Sequence, residues 1–541
     1  MGLVYLHPVL PPPEETASSN FAFMPDDPDL TVCESVATYV PRNPEATVLY
    51  GVVAGHLETF LARQLDRDRL VPWFVEKELR SFLECGILAN GFLRVHCDTC
   101  HRDRLVPFSC KGRSFCPSCG GRRMADTAAH LVDRVFPEAP VRQWVLSLPY
   151  SLRYRLAYDA RLVRDVLQVF VRAVFASVRR RGGIPASDRK ARCGAVTFVQ
   201  RFGDALNLNV HFHTLAIDGI YVIDDGGDLE FRRVGPPSDA EIARVANRVS
   251  RGVVRLLERR GLGPRVSADE SDALAQSQPL LADLYGASIS GLVAAGPRAG
   301  ARLSRVGDAV EVEDLPTASG RSRAVVSGFS VHAGVCISAH NRLRLEHLFR
   351  YAGRPPLATE RLTALPDGRL LYRLKRRWRD GTSHIVFEPL DLVARLAALV
   401  PPPRFNLVRY HGILAPCAAL RRMVVPQCAP DGQPDQNRHP GCSNKGGNFP
   451  DGSGNLERKG QCRPRNYTWA ELMKRVWLLD VLQCDRCGGR MRIVCANHPP
   501  AAVKSILECL GLPTRPPPIA PATSITEECA TDLEENGARL N

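Results

Sequence analysis

The 541-residue chain has no run of about 18 apolar residues, and its start has no charged head leading into a long apolar segment. A membrane-spanning helix and a secretory leader are therefore not expected, and a soluble, intracellular protein is. There is no G-x-x-x-x-G-K-[ST] phosphate loop, so the chain is not expected to hydrolyse ATP itself. No internal repeat is visible. Acidic residues are the scarcer charge, 57 Asp and Glu against 71 Lys and Arg, which leaves a net charge of +14 and a pI near 9.1. That balance favours an anionic partner, with nucleic acid first, although a merely solvated basic surface would have the same charge.

Hydrophobic content of 45% and charged content of 24% are values of a folded globular chain. The length exceeds what one ordinary core organises, so about two to four domains are expected. Eighteen cysteines would suggest disulfides in a small secreted protein. Here several fall in Cys-x-x-Cys pairs within a large chain, which points to zinc.

Residues 1–45, rich in Pro, acidic and small residues, read as a weakly ordered lead-in. Residues 46–135 read as a helical and zinc-binding domain, in which at least two helices lead to Cys97-x-x-Cys100, Cys110 and Cys116-x-x-Cys119. Two Cys-x-x-Cys turns separated by a short stretch can close four thiolates on one structural zinc. The expected ligands are therefore Cys97, Cys100, Cys116 and Cys119, with Cys110 as a possible extra ligand and His96 and His101 as spare candidates. Lys111, Arg113, Arg122 and Arg123 on the same unit are placed to grip phosphates.

Within residues 136–425 the stretch LNLNVHFHTLAID, Leu206 to Asp218, organises the rest. In an extended strand Leu206, Leu208, Val210 and Phe212 share one face, and Asn207, Asn209, His211 and His213 share the other. Two imidazoles held side by side on a strand whose opposite face is buried can bind one divalent cation. An isolated His-x-His is more often a pair of solvated histidines, and the remaining motifs decide between the two readings. VRQWVLSLP reads as a strand, Leu156 to Arg181 as one long helix, and AVTFVQRFG as a strand antiparallel to the histidine strand across a short turn. That hairpin makes Gln200 the candidate third metal ligand, with Asp204 and Asp218 as rivals.

RAVVSGFSVHAGVCISA is β-rich and leads into a short helix, HNRLRLEHLFRYAGRPP. Tyr351 falls on its last turn between Arg350 and Arg354. A helical Tyr is usually core, but flanking cations would bind a phosphate beside its hydroxyl and favour the phenolate. LLYRLKRRWRDGTSHIVFEP reads as a hairpin in which Lys375, Arg376, Arg377 and Arg379 alternate with Tyr372 and Trp378. Cations that track a backbone and aromatics that stack bases suit single-stranded nucleic acid. Residues 426–465 read as a flexible linker or insertion, and 466–512 as a C-terminal helix and Cys-x-x-Cys segment. That segment carries Cys484 and Cys487, with Cys495 and His498 near. Residues 513–541 read as a disordered tail.

The blocks FSCKGRSFCPSCGGRRM, PVRQWVLSLP, VTFVQRFGDALNLNVHFHTLAIDG, LEHLFRYAGRPP and LKRRWRDGTSHIVFEPLDLVARLAALVPPPR, in this order, resemble the HUH-type rolling-circle transposases of bacterial insertion sequences, the IS91 and common-region (ISCR) group. The resemblance implies an α+β fold: a central antiparallel sheet forming an HUH endonuclease/transposase domain with flanking helices over 136–425, plus a small N-terminal zinc-binding domain. It implies that His211 and His213 hold a catalytic Mg²⁺ or Mn²⁺, that Tyr351 is the nucleophile, and that Zn²⁺ is structural. The expected substrate is single-stranded DNA at the ends of an insertion sequence and at its target, cut and rejoined through a 5′-phosphotyrosine. No nucleotide cofactor and no membrane are involved, and host replication proteins are candidate partners. A cytoplasmic protein, nucleoid-associated when bound to DNA, is expected. Arg350, Arg354, Lys375, Arg379, Lys111 and Arg113 are the expected DNA-binding cations. Some relatives have a second tyrosine one helical turn before the nucleophile; His347 stands there, so this is the single-tyrosine pattern. A non-enzymatic zinc-binding DNA protein is the alternative.

Overall fold

The computed structural model describes residues 42–523, apart from 186, 189, 225, 263–271, 308–321 and 427–466. Nearly all of the expected lead-in and linker, and residues 524–541 of the expected tail, lie outside the described residues. The fold is α+β and is framed by a six-stranded sheet. Its strand order is Arg323–Val326, Phe329–Ile337, Val141–Ser147, Leu208–Ile217, Gly194–Phe202 and Val408–Gly412. Every neighbouring pair is antiparallel.

The histidine strand, Leu208–Ile217, occupies the centre, and both faces of the sheet are covered. On one face Val210 and Phe212, with Trp144 and Leu146, pack against helices Ala160–Arg181 and Asp239–Arg259. On the other face Leu215, Val196 and Phe198 meet helices Pro117–Arg134 and Arg342–Gly353. A covered central strand is rigid, because moving it would break ladder hydrogen bonds on both edges and expose apolar side chains on both faces. Its polar/apolar alternation therefore stops at His213, and the strand is buried from there to Ile217.

The stretch Leu156 to Arg181 is two helices rather than one, Tyr150–Tyr158 and Ala160–Arg181. Asp159 breaks it, because its carboxylate accepts the backbone N–H groups of Arg161 and Leu162 and caps the second helix. The apolar periodicity runs across this break and conceals it. A second departure is at the C-terminal end. Residues 513–523, expected in a disordered tail, return along helix Val48–Leu65, where Ala520 N–H donates to the Ala54 carbonyl and Thr523 N–H to Thr59 Oγ1, each at 3.0 Å. Among the described residues no helix is long and apolar enough to cross a membrane.

Candidate active site and thiolate clusters

The register of the sheet places Gln200 and Ser147 directly opposite His211 on its two neighbouring strands, and Phe198 and Val145 opposite His213. The two imidazole rings lie 5.0 Å apart. His211 Nδ1 is 2.9 Å from the Asn209 carbonyl, which can only accept, so Nδ1 carries the proton and Nε2 is left with a free lone pair. His213 Nδ1 is 2.8 Å from the buried Gln143 side-chain amide. As placed, Gln143 Nε2 donates to Nδ1, and turning the side-chain amide over would put its oxygen there and leave the proton on Nδ1, as in His211. Burial pushes His211 down to about 4, against the opposing Asn209 contact and with help from Arg354. Burial likewise holds His213 well below the usual histidine range, aided by His211 and Arg354. Both rings are therefore neutral near pH 7, the form that binds a metal.

Gln200 behaves differently from the expectation of a simple ligand. Its Nε2 donates to the Ala352 carbonyl at 2.7 Å, tying the strand to the end of the tyrosine helix. Its Oε1 is buried with no hydrogen-bond partner. An orphaned amide oxygen beside two neutral imidazoles fits a metal site, and Asn209 Oδ1, also buried and unpaired, adds a second such oxygen. Of the rivals, Asp218 is consumed elsewhere, paired with Arg142 at 2.7 Å and Arg181 at 3.1 Å. Asp204 is exposed and acts on His211 and Tyr351 only through its charge.

Tyr351 lies on the last turn of helix Arg342–Gly353, which Asn341 caps at its start. Leu345, Leu348, Phe349 and Ala352 bury one side of that helix against the sheet, and this sets the ring of Tyr351 edge-on to His213 with centroids 6.1 Å apart. Arg354 and Lys375 stand over the same ring, at 4.4 and 4.5 Å from its centroid. Burial alone would raise the Tyr351 pKa, but Arg354 and then Lys375 outweigh it, and the phenol lies below the ordinary tyrosine range. Lys375, in turn, is lowered by burial.

The remaining expected cations are spread out. Arg350 is partly buried and Arg379 and Lys111 are exposed. Arg113 hydrogen-bonds the Phe405 carbonyl at 2.6 Å and lines a small cavity of about 110 Å³ with Arg123 and Arg354. The expected hairpin arms pair in register over Leu370–Arg373 and His384–Phe387. Tyr372 is buried against Phe387, so it is core and not available to stack a base. Trp378 is partly exposed, with Arg305 over its ring.

The expected four-cysteine site is divided. Cys116 and Cys119 join Cys85 and Cys110 in one cluster, and Cys97 and Cys100 join Cys484 and Cys487 in another. Cys110 is thus a full member, and Cys85 had no Cys-x-x-Cys partner to mark it. The cause is the strand pair Phe92–Cys97 and Asp103–Pro107, which carries its own knuckle away from the start of helix Pro117–Arg134. His96, bonded to Asp103 at 2.9 Å, and His101 belong to neither cluster. The first cluster suits zinc: four thiol sulfurs lie within 4.8 Å of one another and are mostly buried, the donor set of a structural site. It pins the N-terminus of helix Pro117–Arg134, and a Cβ on Gly120 there would come within 2.7 Å of Pro355, just past Tyr351. Only glycine lets the thiolate-anchored helix approach the tyrosine segment this closely.

Residues 194–421 match the family described as "Putative transposase", and residues 52–148 match the transposase zinc-binding domain of the IS91 type. No curated protein and no solved structure matches the chain. The first span contains Gln200, His211, His213, Tyr351, Arg354 and Lys375, and the second contains the six cysteines from Cys85 to Cys119.

Proposed function

We propose that this chain, which belongs with the transposases of the IS91 type, cuts and rejoins single-stranded DNA through a 5′-phosphotyrosine on Tyr351, moving its insertion sequence by rolling-circle transposition. The observation that carries the proposal is the meeting of the Tyr351 ring with the His213 ring at 6.1 Å, under two cations. His211, His213 and Gln200 would hold the catalytic ion, Mg²⁺ or Mn²⁺. When bound, that ion would polarise the scissile phosphate and offset the charge that develops on it.

The chain's own groups do the rest. Arg354 and Lys375 favour the phenolate and bind the phosphate beside it. Tyr351 Oη attacks phosphorus, the bond to the 3′ oxygen breaks, and the DNA leaves a free 3′-hydroxyl while its 5′-phosphate stays on the protein. A later 3′-hydroxyl attacks that phosphotyrosine, the P–O bond to Tyr351 breaks, and the strands are joined. One phosphodiester is exchanged for another, so no nucleotide is consumed. His347 is exposed one turn before Tyr351, so a relay between two tyrosines on this helix is not available.

The test is covalent capture. A single-stranded oligonucleotide carrying the end of the encoding element, incubated with protein and Mn²⁺, should yield a DNA adduct that is lost in Tyr351→Phe. Cleavage that persists in Tyr351→Phe but not in His211→Ala would instead identify a metallohydrolase working through water. Binding without any cleavage would leave a zinc-binding DNA protein.

A further inference from the structure

The second cysteine cluster joins segments that no short motif relates. Cys97 and Cys100 come from the N-terminal part of the chain, and Cys484 and Cys487 lie outside both matched spans. Sγ atoms approach at 3.5 Å between Cys97 and Cys487, and at 3.6 Å between Cys100 and Cys484. A disulfide needs about 2.05 Å. Four sulfurs at about 2.3 Å from a central zinc would be about 3.8 Å apart along each edge of a tetrahedron. The spacing is that of ligands, not of a disulfide.

The two turns also match residue for residue. Cys97 N–H donates to the Arg102 carbonyl, and Cys484 N–H to the Gly489 carbonyl, each at 2.8 Å. The residue after the second cysteine is left-handed in both, His101 with φ 54° and Gly488 with φ 72°. Each turn thus folds its backbone around a pair of sulfurs in the same way. Strand Met491–Asn497 then pairs antiparallel with Phe92–Cys97, which also pairs with Asp103–Pro107, making one three-stranded sheet. Charged pairs cross between the turns: Arg102 and Arg104 to Asp485, and Arg492 to Asp98. Cys495 and His498, the nearest candidates for a local site, are occupied otherwise, Cys495 with Asn497 and His498 stacked on Phe108.

We propose that Cys97, Cys100, Cys484 and Cys487 form a second structural zinc site, a zinc ribbon built from two segments 384 residues apart. The site fastens the C-terminal segment to the zinc-binding domain. Its consequence reaches the tyrosine helix. The fastened segment includes helix Trp469–Trp477, whose Arg475 pairs with the buried Glu346 of that helix at 2.6 Å and also binds Asp133 of helix Pro117–Arg134. The ribbon therefore holds in place a clasp across two helices that carry the site.

The experiment is zinc stoichiometry on the full chain purified without chelator. Two zinc ions per chain are expected, falling to one in the double variant Cys484→Ser/Cys487→Ser and staying at two in Cys495→Ser. Two ions retained in the double variant, or one in the unaltered protein, overturns the proposal. If the double variant is insoluble, cobalt(II) titration of the full chain replaces it. Tetrathiolate absorption that saturates at two equivalents supports the site, and saturation at one overturns it. The outcome is independent of DNA cleavage, so it stands or falls apart from the role of Tyr351.

Discussion

The histidine strand and the buried cysteine cluster both gather side chains of types that can bind metal, yet they are built in opposite ways. Cys85, Cys110, Cys116 and Cys119 gather within 4.8 Å of one another, all as potential ligands, and two of them, Cys116 and Cys119, stand at the N-terminus of helix Pro117–Arg134. His211 and His213 sit on a strand whose ladder and covered faces hold it without any ion, and the two neutral rings with unpaired amide oxygens leave positions free. A set made only of protein donors fixes the packing around it, here within the core that Cys85, Cys116 and Cys119 share. An open one borrows a rigid fold and supplies chemistry.

The comparison predicts that damage to one region shows in turnover and damage to the other in stability. The largest effect is expected from Tyr351→Phe, a loss of adduct formation on the order of 10⁴-fold or more, with an unchanged melting curve. A parallel loss of thermal stability would mean that the ring serves packing instead. Next, Cys85→Ser should cost about 5 kcal/mol of folding stability, since zinc binding in such sites is folding free energy. Urea unfolding measures this, and a variant that stays as stable as the parent removes the structural role. His211→Ala is the counterpart: metal-dependent cleavage is lost, while the unfolding midpoint moves far less than in Cys85→Ser.

His411 sharpens the contrast as an imidazole of the same sheet without a catalytic part. Burial, with Arg409 adding to it, pushes it down to about 4, and its Nε2 is 3.1 Å from Thr197 Oγ1. Its folded pKa lies below its unfolded value, so the unfolded chain takes the proton first. The neutral ring therefore contributes full stability above the unfolded value, and that stability is lost as pH falls from there towards 4. The shift is worth up to about 3 kcal/mol. His411→Gln should flatten that acid limb in pH-dependent unfolding and leave cleavage near pH 7 intact. The smallest effect belongs to Lys375→Ala. Removing a cation from above Tyr351 raises the phenol pKa, so the rising limb of the pH–rate profile should move to higher pH. Single-turnover cleavage at neutral pH should fall about tenfold, or roughly 1.4 kcal/mol. An unmoved profile would assign Lys375 to DNA contact alone.

Several features of this arrangement are legible from local pattern. The two-residue period of LNVHFH puts the imidazoles on the face opposite Val210 and Phe212, and the short turn before it makes Gln200 a neighbour of His211, as the register has it. Gln143 was missed, because it lies in VRQWVLSLP, whose pairing with the histidine strand no turn announces. Tyr372 alternated with cations in sequence and proved to be core, because alternation does not say which face is solvated.

The residues by themselves determined where side chains capable of the chemistry stand along each element, since strand and helix periods depend only on neighbours in the chain. They also marked every Cys-x-x-Cys turn. Which turns share an ion, and how close the Tyr351 ring comes to His213, only the tertiary structure decided. Any cysteine pair of that spacing makes the same local knuckle, and its partner is selected by strand pairing and packing between segments hundreds of residues apart, for which no local preference exists.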